Sequence, residues 1–141
     1  MFKSILLPVD LQHEDSWKKA VPVAEELAKL GGGTLHVLTI VPDFGSSLVA
    51  TYFPPDFEKD ALNKAETDIE AFAAKHIASD VACKVHVGHG RIYHEIIHFA
   101  DQLGVQLIVM GSRHEDHSFL IGSNAERVAR HAKQNILVIR D

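Results

Sequence analysis

Four short runs are apolar on nearly every position: Ile5–Val9, Leu35–Val41, Leu107–Met110 and Ile136–Ile139. Runs that are hydrophobic on both faces predict parallel strands covered by helices on each side. A fifth run, Val81–Val87, alternates instead. Val81, Cys83, Val85 and Val87 share one face, and Ala82, Lys84 and His86 share the other. That period of two predicts an edge strand with one wetter face.

Between these runs the period changes to 3.6. Trp17, Ala20, Val21, Ala24, Leu27 and Ala28 form one stripe, stopped by Gly31-Gly32-Gly33. Pro22 interrupts it, which predicts a kink or a late helix start. Leu62, Ala65, Ile69, Phe72 and His76 form a second stripe. Ile92, Ile96, Ala100 and Leu103 form a third, closed by Gly104. Ala125, Val128, Ala129 and Ala132 form a short fourth, opened by the capping-box pattern Ser123-x-x-Glu126. Strict alternation of strand and helix predicts an α/β fold with a doubly wound parallel sheet and right-handed crossovers. The chain's 141 residues suit one domain spanning 1–141. The long irregular stretch 42–55, with Gly45-Ser46-Ser47 and Pro54-Pro55, reads as a flap.

Ligands of such sheets bind beyond the carboxyl ends of strands, where the strand order reverses. Three tips qualify: Pro8-Val9-Asp10, Val41-Pro42-Asp43, and Met110-Gly111 with Arg113 and His114 behind it. Asp10 is a carboxylate suited to a ribose hydroxyl or to Mg²⁺ carried on phosphates. Val41 offers an apolar wall for a base, and Gly111 lets the backbone approach a ligand. Gly122-Ser123-Asn124 opens the last helix with free N–H groups at its positive end, an anion site by construction. The plain alternative is that Gly-Ser merely caps that helix.

With these residues in place, the whole chain resembles the universal stress proteins, from Ile5-Leu6-Leu7-Pro8-Val9-Asp10 to Ile136-Leu137-Val138-Ile139-Arg140. Nucleotide-binding members carry Gly, two residues, Gly, nine residues, then Gly followed by Ser or Thr. Gly111 and Gly122-Ser123 match the two ends. His114 replaces the middle glycine, and only seven residues separate it from Gly122. The resemblance implies a Rossmann-like five-stranded sheet in order 3-2-1-4-5, with helices on both faces. It implies ATP bound at Asp10, Val41, Gly111, Gly122 and Ser123, with Arg113 adding contacts to phosphate. It also implies a homodimer, or a larger assembly, joined through Ile136–Arg140. Some members bind no nucleotide. A nucleotide-free dimeric interaction module is therefore the alternative to an ATP-binding protein that hydrolyses slowly or not at all.

Composition and charge then narrow the field. A net charge of −5 argues against nucleic-acid partners. The one cysteine, Cys83, precludes an intrachain disulfide. The first ten residues lack a signal-peptide pattern, and no apolar run reaches membrane length, so a cytoplasmic protein is expected. Ten histidines are the anomaly. His94-Glu95-Ile96-Ile97-His98 is a literal H-E-x-x-H, which would place two zinc ligands on one helix face with Glu95 as base. No third ligand follows at the usual spacing, so a solvated helix face is the plainer account. His114 and His117 read as phosphate contacts or polar loop residues, and His86 and His89 as edge-strand surface residues. No phosphate-binding G-x-x-x-x-G-K-[ST] is present, and Ser123 lacks a nucleophile elbow.

Overall fold

The computed structural model describes residues 2–42, 56–112 and 122–140. Strand β1 is Ser4–Pro8, followed by a one-turn 3₁₀ helix, Glu14–Ser16, and helix α1, Ala20–Gly31. Next come β2 (Thr34–Pro42), α2 (Phe57–His76), β3 (Ala82–Gly90) and α3 (Ile92–Leu103). The chain continues with β4 (Leu107–Gly111), α4 (Ser123–His131) and β5 (Asn135–Ile139). All pairings are parallel, and the strand order is β3-β2-β1-β4-β5. The order reverses at β1, whose neighbours are β2 and β4. That position is the switch point, and it fixes where a cleft can open.

The two faces of the sheet follow the period of two. Ile5, Leu7, Leu35, Val37 and Val109 point to one side and pack with Ala20, Val21, Ala24 and Ala28 of α1 and Ile69 and Phe72 of α2. Leu6, Leu38, Ile108 and Met110 point to the other and pack with Ile96 and Ala100 of α3 and Ala125 and Val128 of α4. Leu6, Leu35, Ile96 and Ile108 are completely buried. Each contributes roughly 1.5–3 kcal/mol of hydrophobic stabilisation.

Element boundaries follow local chemistry. Pro22 falls in the first turn of α1, where a missing N–H costs no helical bond, so the helix starts late rather than kinking. Helix α3 ends on Gly104 at φ 64°, whose N–H reaches the carbonyls of Ala100 and Asp101. The alternating run is longer than its sequence pattern suggests, and β3 extends to Gly90 because it pairs with β2 over the whole of its length.

The start of α4 departs from expectation. Gly122 is the N-cap and Ser123 is the first helical residue, with no side-chain cap bond. The capping box is therefore absent. Glu126 instead meets Arg130 at 3.4 Å on the helix surface. Residues 43–55 of the expected flap, and Arg113, His114 and His117, lie outside the described residues. No described helix is long and apolar enough to cross a membrane.

Candidate functional site

A cleft of about 530 Å³ opens at the carboxyl edge of the sheet, over the switch point. Pro8, Val9 and Asp10 line it from the end of β1, and Val41 from the end of β2. Met110 and Gly111 line it from β4, and Gly122, Ser123 and Asn124 from the start of α4. All the candidate residues that are described thus share one concavity. Asp10 and Ser123, far apart in sequence, are walls of the same cleft.

The turn after β1 is held by Ser16, which is buried. The Asp10 N–H donates to Ser16 Oγ at 2.9 Å, and that hydroxyl lies 2.8 Å from the His13 carbonyl and 3.1 Å from the Asp10 carbonyl. These bonds set the direction of the Asp10 side chain. Its Oδ1 accepts from the Gln12 N–H at 3.0 Å, and its Oδ2 lies 2.9 Å from Nδ1 of His13.

Gly111 has a role the sequence did not suggest. A Cβ at that position would lie 2.5 Å from the Ser16 carbonyl oxygen and 2.9 Å from its carbon. The bare glycine therefore makes room for the 3₁₀ turn that carries the Asp10 wall, besides exposing backbone to the cleft.

Four cleft residues escaped the sequence reading because they belong to α2: Ala61, Lys64, Ala65 and Asp68. Their spacing of three and four puts them on one helical face. The two alanines leave a flat floor, and Lys64 donates to Asp68 at 2.6 Å on the rim. Ile92 and Ile96 close the cleft from α3. Only the roll of each helix on the sheet decides which of its faces meets the cleft. His13 was readable as a neighbour of Asp10 but carried no motif.

The histidines sort differently from expectation. His36 Nδ1 lies 2.9 Å from His86 Nε2 on the α3 face of the sheet. Burial, then the neighbouring His86 and Lys84, hold the His36 pKa below the ordinary histidine value. Burial, then Lys84, do the same to His86. His86 is thus a half-buried partner rather than a surface residue. His89 meets Glu58 of α2 at 3.3 Å, and its N–H donates to Glu95 Oε1 at 3.2 Å.

That last bond also removes the zinc reading. Glu95 is turned to the end of β3 as an acceptor for backbone, and Ile96 beside it is core. Among the described residues, no group of three or more His, Cys, Asp or Glu side chains is placed to hold a metal ion.

Comparisons with known proteins agree with this architecture. The model of the universal stress protein family matches residues 1–140. Universal stress protein G of Shigella flexneri is 35% identical over 144 residues, covering 99% of this chain and all of that protein. Among solved structures, the hypothetical protein MJ0577 superposes with a TM-score of 0.79 at 21% identity, covering 100% of this chain and 97% of that one. A universal stress protein in complex with cAMP superposes at 0.63 and 20% identity, with coverage of 99% and 97%. One from Archaeoglobus fulgidus in complex with dAMP does so at 0.61 and 19%, with coverage of 99% and 98%.

Proposed function

Since this chain belongs to the universal stress protein family, we propose that its cleft binds an adenine nucleotide, ATP foremost, as a conformational and assembly ligand. One observation carries the reading. The tips of β1, β2 and β4 meet the uncapped first turn of α4 in a single 530 Å³ cleft, within the usual size of a small-molecule site. Two relatives of the same fold hold cAMP and dAMP, both adenine nucleotides.

In this reading each wall has a task. The base lies against Val41 and the alanine floor of α2. Asp10, already oriented by Gln12 and His13, accepts from a ribose hydroxyl. The phosphates meet the N–H groups of the Gly122–Asn124 turn, where the helix dipole favours anions and the Ser123 hydroxyl is not used for capping.

The fit for Mg²⁺ is narrower. Both oxygens of Asp10 already accept hydrogen bonds, and no dedicated cation cage exists among the described residues. The cation therefore enters as a passenger on the phosphates, with Asp10 at most at its edge. Such a site holds rather than turns over its ligand, so hydrolysis is slow or negligible. The protein acts in the cytoplasm as a homodimer through Ile136–Arg140, from which larger assemblies can grow.

Calorimetry with ATP and Mg²⁺ tests the reading. Saturable binding is expected for the wild type. It should be lost in Gly122→Val, whose backbone conformation (φ −57°, ψ 150°) accepts a side chain. That side chain would occupy the phosphate end. No heat from the wild type, with an empty cleft in freshly purified protein, would leave the nucleotide-free interaction module as the function.

A further inference from the structure

Resting on the nucleotide reading, we propose that Thr39 is a binding residue for the base, its hydroxyl forming a hydrogen bond with a polar atom on the edge of the ring. Thr39 belongs to β2, lines the cleft and is only 7% exposed. The period of two places it on the α2 side of the sheet, with Leu35 and Val37 before it and Val41 after it. Its neighbours on the flanking strands are apolar as well. Val87 of β3 is its register partner, and Val9 follows Pro8, whose partner in β2 is Leu38. Val9, Val37 and Val87 all belong to, or pack against, the hydrophobic cluster under α1 and α2. Among the described residues, the Thr39 hydroxyl has no hydrogen-bond partner, yet its oxygen is not sealed from the cleft. Ser16 and His36, buried to a similar degree, both direct their polar atoms to protein partners.

A threonine among valines calls for a reason. Valine has nearly the same shape, is equally suited to a strand and hides no polar atom. A buried hydroxyl without a partner is costly. Packing alone would therefore favour valine at this position. A ligand atom that completes the hydroxyl's hydrogen bonding supplies the missing reason.

The place of Thr39 decides which part of the ligand it meets. It lies one pleat inward from Val41, on the face covered by α2, whose Ala61 and Ala65 line the same cleft. The phosphate end lies at the start of α4, which packs with the opposite face of the sheet. The hydroxyl thus faces the base and not the phosphates. A hydroxyl both donates and accepts, so it can answer a ring nitrogen or an exocyclic amine. An apolar ring in the same position would leave it unpaired. The ligand class is therefore a nitrogen heterocycle with a polar edge, as a nucleoside carries.

The test is calorimetry of the full chain with ATP and with adenosine, for wild type, Thr39→Val and Thr39→Ser, alongside thermal unfolding of each free protein. Valine keeps the shape and removes the hydroxyl. Serine keeps the hydroxyl and removes the methyl group. Thr39→Val should weaken ATP and adenosine by the same factor, about 3–10-fold, the worth of one net hydrogen bond. Its Tm should equal or exceed that of the wild type, because a buried polar atom has gone. Thr39→Ser should bind both ligands within about twofold of the wild type, its hydrogen bond being retained. Its Tm should be lower, because a buried methyl group has gone. Affinity then follows the hydroxyl, and stability follows the methyl. Unchanged ATP affinity in Thr39→Val would overturn the assignment and leave the nucleotide reading standing. A lower Tm for that variant would also overturn it, since the fold itself would then use the hydroxyl. So would equal losses of affinity in the two variants, or a loss for ATP without one for adenosine. Adenosine that fails to bind the wild type at millimolar concentration would do the same, since the base end would then carry no affinity of its own. A wild type that binds neither ligand would remove the nucleotide reading, and the role of Thr39 with it.

Discussion

Replacing Gly111 with alanine separates two accounts of this glycine. If its purpose were only ligand approach, Gly111→Ala would spare stability and cost affinity. The geometry argues otherwise. The added Cβ would sit 2.5 Å from the Ser16 carbonyl oxygen and 3.2 Å from that of Asp15, and both are backbone atoms that cannot rotate away. Gly111 is not among the residues with positive φ, so alanine suits its backbone and the clash alone is tested. Overpacking of this kind costs about 1–3 kcal/mol. The loss of glycine's freedom in the unfolded chain returns about 0.4–1 kcal/mol. The net expectation is a destabilisation of about 1–2 kcal/mol, or a Tm lower by about 3–10 °C in a chain of this size. Urea unfolding followed by the fluorescence of Trp17 is a suitable assay. That residue follows Ser16 and packs on Phe72 and His76 with ring centroids 4.9 and 4.6 Å away. Because the displaced turn also carries Asp10 and His13, ATP affinity should fall with stability. A variant as stable as the wild type would refute the argument.

Three further outcomes are expected. Ile96→Ala removes a fully buried side chain that also closes the cleft, and should lower stability by about 2–5 kcal/mol with an unchanged urea m-value. The pKa values of His36 and His86 are lowered in the fold, so below the ordinary histidine value of 6.5 the unfolded chain binds more protons than the native one. Stability should therefore be full above pH 6.5 and fall as the pH drops through that value, with a shallower fall in His36→Leu, as read from urea midpoints between pH 5 and 8. Strand β5 leaves a half-buried apolar edge beyond β4, so sedimentation should show a dimer that resists dilution; a monomer at micromolar concentration would contradict pairing through Ile136–Arg140.

What could be read in advance, and what could not, divides along a physical line. The strands and the stops at Gly104 and Gly31-Gly32-Gly33 were legible because burial on both faces and left-handed caps leave local marks. The tips of β1, β2 and β4 were legible because a doubly wound topology dictates where they converge. Ala61, Lys64 and Asp68 were not, since they flank the stripe that defines α2, and that stripe, Ala65 included, reports a core face and not which flank meets a cleft. The His36–His86 pair was hidden for a similar reason. The two residues share a face only through the register that sets His36 opposite Lys84 and Leu38 opposite His86. The capping-box pattern misled because Gly122, not Ser123, took the capping position.

The cleft touches both helical layers, and this bears on what a bound nucleotide does. Its floor belongs to α2, which packs with one face of the sheet, while Gly122–Asn124 open α4, which packs with the other. The sheet lies between the two hydrophobic clusters. A ligand with its base on α2 and its phosphates on α4 ties the layers together directly. By mass action, ATP at a hundredfold excess over its Kd should stabilise the native state by about 2.7 kcal/mol. Hydrogen exchange should locate that gain. ATP is expected to protect the stretch of α2 from Ala61 to Asp68 and the first turn of α4, whereas adenosine, which has no phosphates, should protect the α2 stretch alone. The contrast matters more than the size of either effect. If ATP protects α4 and leaves α2 as exchangeable as in the free protein, the ligand does not bridge the layers, and its role as a conformational ligand loses its structural basis.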